Sequence, residues 1–84
     1  MAISGIIIKT AEGREQHVAD RASGLSGLEI AGVSEGHVVA VLEGPDLRWM
    51  ERITMEIMAM DHVVVVLPTY VNTEDPETLD QIVA

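Results

Sequence analysis

The chain has 84 residues, room for one domain with a modest core. It contains no cysteine, which excludes disulfides, thiolate metal sites and a thiol nucleophile. Its net charge of −9, from 14 acidic and 5 basic residues, excludes the clustered cations that nucleic-acid binding needs and suits a basic partner.

Ile3 to Lys9 reads as a strand: short, β-branched and free of turn residues. Thr10 is placed to cap a helix from about Ala11 to Ala22, with Val18, Ala22 and Leu25 on one face and Gly24 and Gly27 at its end. Leu28 to Val33 and His37 to Glu43 are strands joined by Ser34-Glu35-Gly36, a loop short enough for an antiparallel hairpin. Gly44-Pro45 breaks the second of them, and Asp46 is a good N-cap for a helix from Leu47 to Met60. Met50, Ile53, Ile57 and Met60 line one side of that helix, and Trp49 flanks them.

Val63 to Tyr70 is the fourth strand, and Pro68, having no amide hydrogen, predicts a sheet edge for it. The domain is expected to span 1–71, followed by an acidic tail, 72–84, in which Pro76 to Val83 has room for a turn or two of helix. No stretch approaches the roughly 18 apolar residues of a membrane span. The Ile6–Ile8 run is too short for a secretory leader and lacks its basic flank, so the expected location is cytoplasmic.

The order β-α-β-β-α-β, with right-handed crossovers, predicts a ferredoxin-like split βαβ sandwich. Its four-stranded antiparallel sheet has the order 4-1-3-2, with both helices on one face. Alternation then sorts the strand side chains. Ile6, Ile8, Leu28, Ile30, Val38, Ala40, Leu42, Val64 and Val66 are expected under the helices. The open face receives Gly5, Ile7, Lys9, Glu29, Ala31, Val33, His37, Val39, Val41, Glu43, Val65, Leu67 and Thr69. Open sheet faces ordinarily turn polar, whereas this one stays largely apolar and needs a cover: the tail, a second copy or a peptide.

Catalytic patterns are missing. His17, His37 and His62 fall on separate elements with no second ligand at i+2 or i+4, so no metal set is read from them. Gly24-Leu25-Ser26-Gly27 precedes a strand, which is the wrong setting for a phosphate loop. An RNA-recognition motif needs stacking aromatics on its sheet, and this face has none. A copper chaperone needs a cysteine pair. An acylphosphatase needs an asparagine on its second helix, and no Asn occurs before Asn72. A dimeric ACT-type or AsnC-type effector domain stays open, because it holds ligands largely through backbone groups. The chain reads as a binding module without cofactor, monomeric or weakly dimeric, and not as an enzyme.

From Gly36 to Tyr70 the pattern Gly-x-Val-Val-x-Val-x-Glu, an acidic helix start, the helix, an apolar strand and a closing Tyr follow one another. With the opening Ser4-Gly5-Ile6-Ile7-Ile8 and the strand Leu28-Glu29-Ile30, this resembles the NapD-type chaperones of periplasmic nitrate reductase maturation. The resemblance implies a chaperone that binds the twin-arginine signal peptide of the nitrate reductase catalytic subunit in the cytoplasm. The peptide is held, as a helix on the open sheet face, while the molybdenum cofactor is inserted. The alternation argument places its apolar part over Ile7, Ala31, Val33, Val39, Val41, Val65 and Leu67, with its arginines at Glu29 and Glu43.

Overall fold

A computed structural model describes residues 1–73 of the chain. The elements run β1 (Ala2–Thr10), α1 (Glu15–Ala22), β2 (Leu28–Ser34), β3 (His37–Gly44), α2 (Leu47–Met58) and β4 (Val63–Thr73). The sheet order is β2-β3-β1-β4 with every pairing antiparallel, which is the expected order read from the other edge. Pro68 lies in the edge strand β4, where its missing amide hydrogen costs little.

The helices start where local chemistry starts them. Asp46 has extended backbone and its Oδ1 accepts from the Trp49 amide at 2.8 Å, so α2 is capped as the sequence indicates. α1 begins later than expected, at Glu15 rather than Ala11. Gly13 takes φ +83° and interrupts any helix there, and the Thr10 hydroxyl donates to the Ala11 carbonyl instead of capping. α2 ends at Met58, two residues early, as the chain turns toward His62. β4 runs through Thr73, three residues past the expected strand end at Tyr70, and the expected helical turns at 76–83 lie outside the described residues.

Under the helices, cross-strand partners form continuous rows. Ile30, Ala40, Ile6 and Pro68 make one, and Val33, Val38, Ile8 and Val66 the next. Ile6, Ile8, Val38, Ala40 and Leu42 are buried here, against Val18, Ala19 and Ala22 of α1 and Met50, Ile53 and Ile57 of α2. Removing a fully buried side chain such as Ile57 costs about 2–5 kcal/mol in cores of this kind. Ser4, a buried polar residue of β1, donates from Oγ to the Tyr70 carbonyl at 2.7 Å and ties the edge strand to the centre.

Three register shifts alter the simple alternation. On β2, Ile30 pairs with Ala40 and Gly32 with Val39, leaving Ala31 as the extra residue of a bulge. On β4, Val64 is extra between Val63 and Val65, and Thr69 between Pro68 and Tyr70. Each extra residue reverses the parity of the later positions on its strand. Val33 therefore stands opposite Val38 on the helix side, not on the open face where alternation puts it. Val64, expected in the core, is 68% exposed, and Val63 takes the inward place opposite Thr10.

Candidate functional site

The face without helices is ordered as four rows across the sheet. At one end Glu43 pairs with Ile3. The next row is Glu29, Val41, Gly5 and Tyr70. Then come Gly32, Val39, Ile7 and Leu67, and finally Ser34, His37, Lys9 and Val65. Alternate residues of a strand are about 6.7 Å apart, so the strip from Glu43 to Lys9 is about 20 Å long, the length of about 13 residues of helix.

Its middle is apolar and open. Val39 and Leu67 are exposed, Tyr70 is half exposed, and Ile7, Val41 and Val65 are half-buried. Gly32 and Gly5 contribute no side chains, so the backbone is lowest there. A Cβ at Gly32 meets nothing within 4 Å, whereas one at Gly5 runs into the Tyr70 ring and the Thr69 hydroxyl. Tyr70 thus lies across Gly5 as the aromatic rim of the strip.

The ends carry opposite charge. Glu29 pairs with Val41 and Glu43 follows two residues further along β3, so the two residues are diagonal neighbours whose strand positions lie about 7–8 Å apart. Both are exposed, and both line a hollow of about 380 Å³ with Gly27, Leu28, Val41 and Gly44. The Glu43 amide donates to the Gly27 carbonyl at 2.8 Å, which holds the two strands together beneath this corner. At the far end Lys9 pairs with His37.

Of the nine residues expected to form the site, the structure brings seven onto this face: Ile7, Glu29, Val39, Val41, Glu43, Val65 and Leu67. Val33 belongs to the helix side, and Ala31 lies in the bulge without a cross-strand partner, because the extra residue shifts everything after Ile30. Two further residues of this face were not expected on it. Ile3 follows from simple alternation with Gly5, and Tyr70 joins the face through the bulge at Thr69, next to the Pro68 that signals such an irregularity.

A larger cavity, about 640 Å³, opens on the helix side between α2 and β4, lined mainly by Ile6, Leu47, Met50, Met55, Val66 and Pro68. Among the described residues that line it, Glu51 is the one that carries a charge. Among the described residues no group of three or more His, Asp or Glu is placed to hold a metal, and no helix is long and apolar enough to cross a membrane.

The family model for the NapD protein matches residues 1–75. The chain belongs to the NapD family. Among solved structures it is similar to the solution structure of the E. coli Tat proofreading chaperone protein NapD, with a TM-score of 0.77. The two are 16% identical over 88% of this chain and 80% of that one, a level at which the likeness speaks for the fold. A search of curated proteins finds no significant match.

Proposed function

We propose that this NapD-family chain is a chaperone that binds the twin-arginine signal peptide of the periplasmic nitrate reductase catalytic subunit in the cytoplasm. Binding delays export until the molybdenum cofactor has been inserted. The observation that carries the reading is the open strip itself: Val39, Ile7, Leu67 and Val41 uncovered beside two carboxylates.

A twin-arginine leader has a basic segment followed by an apolar one. Laid along the strip as a helix, its arginines meet Glu29 and Glu43, and its apolar turns cover Val41, Val39, Ile7, Leu67 and Val65. Guanidinium–carboxylate bonds are charge-assisted and roughly twice as strong as neutral ones. The helix dipole favours the same direction, with its positive N-terminal end toward the two carboxylates and its negative C-terminal end toward Lys9. The net charge of −9 draws a cationic leader in from a distance and speeds encounter. No chemistry is asked of the site, and its work is to cover a segment that the export machinery would otherwise read.

Calorimetric titration with a synthetic leader tests this. The twin-arginine peptide is expected to bind at low salt, and a peptide with both arginines replaced by alanine to bind at least tenfold more weakly. Absence of binding by the intact leader sinks the proposal.

A further inference from the structure

The fold brings together two histidines that lie 45 residues apart in sequence and that spacing alone leaves isolated. His17 on α1 and His62, in the turn before β4, have ring centroids 5.4 Å apart and planes at 79°. Both side chains are exposed, so their contact owes nothing to core packing.

Both rings stand on fixed backbone. His62 has φ +72°, the left-handed region that few residues other than glycine adopt, although His is enriched there among the exceptions. Its carbonyl accepts from the Ala11 amide at 2.8 Å, which pins the turn to the loop leading into α1. On the other side the Val18 amide donates to the Arg14 carbonyl at 3.0 Å and closes the helical turn that carries His17. Two imidazoles sharing one metal, with metal–nitrogen bonds of about 2.0–2.1 Å, have centroids about 4.5–5.5 Å apart. The observed separation falls in that range.

We propose that His17 and His62 form a two-imidazole surface site for a divalent transition-metal ion of the copper, nickel or zinc kind. Nitrogen ligands suit these ions and not calcium or magnesium, which prefer oxygen. With no third protein ligand placed among the described residues, water completes the coordination shell. Neither histidine is among the residues that form the open strip.

Copper(II) is the probe, because it binds nitrogen ligands most tightly in the divalent series. Titrated into the full ¹⁵N-labelled chain, one equivalent is expected to broaden first the resonances of His17, His62 and their immediate neighbours. His17→Gln and His62→Gly each lower copper affinity at least tenfold, while His37→Gln leaves it unchanged. Glycine suits the left-handed backbone at 62, so that variant keeps the turn, and circular dichroism verifies that both variants are folded. Broadening centred on the acidic surface, or equal affinity in all three variants, overturns the proposal.

Discussion

Glu15 reaches from the first turn of α1 to the backbone of Gly36, its Oε1 accepting from the Gly36 amide at 2.7 Å. The same oxygen accepts from the Gly13 amide at 3.1 Å. One carboxylate thereby joins the loop after β1 to the hairpin turn between β2 and β3, two places where glycine takes positive φ. Its own backbone amide, then those of Gly36 and Gly13, stabilise the ionised form and hold its pKa below the ordinary carboxylate value.

This fixes a pH dependence. A lowered pKa means the unfolded chain takes up the proton first on acidification. The contribution of Glu15 is therefore complete above the unfolded carboxylate pKa of about 4.3 and is lost as pH falls through the lower folded value. Glu15→Gln is expected to lower the urea midpoint at pH 7 and to match the native chain once both are well below that value.

Gly27 makes a second prediction. Its φ is +85°, and a Cβ there falls 2.6 Å from the Glu43 carbonyl oxygen and against the Trp49 ring. Gly27→Ala is expected to cost about 2 kcal/mol or more, combining left-handed strain with overlap against backbone. Gly13→Ala, at φ +83° with nothing within 4 Å, is the control and is expected to cost only the strain, about 1–2 kcal/mol. Urea denaturation followed by Trp49 fluorescence measures both.

The bulge at Ala31 predicts which valines matter for the peptide. Val39→Asp and Val41→Asp put charge into the apolar strip and are expected to weaken leader binding about tenfold, about 1.4 kcal/mol. Val33→Asp, on the opposite side of the sheet, is expected to leave affinity unchanged in the same calorimetric assay.

Glu29→Lys reverses one of the two charges at the strip's end and is expected to weaken binding at 0.1 M salt about tenfold or more, about 1.4 kcal/mol. The difference from the native chain should shrink at 1 M salt, where the screening length falls from about 10 Å to about 3 Å. An effect independent of salt would show that Glu29 does not act through charge.

Much of this was legible in the residues because their patterns are local. Asp46 before an amphipathic run announces α2, and Gly36 in a short loop between two apolar runs announces the hairpin. Right-handed crossovers then give the sheet order, with β4 at an edge as Pro68 in its apolar run indicates. Seven of the nine residues expected at the site share the open face, as alternation places them. What was hidden is where a strand carries one residue too many. Ala31-Gly32 and Pro68-Thr69 are weak bulge signals, yet each bulge moves every later side chain on its strand to the other face, displacing Val33 and bringing in Tyr70. The His17–His62 contact was equally out of reach, since it depends on how a helix and a distant turn meet.

The most direct test of the account is an NMR titration of the ¹⁵N-labelled chain with a twin-arginine leader peptide. Shift changes concentrated at Ile7, Glu29, Val39, Val41, Glu43, Leu67 and Tyr70, with α1 and α2 quiet, are the predicted result. Changes gathered instead in the groove between α2 and β4, or none at saturating peptide, would contradict it.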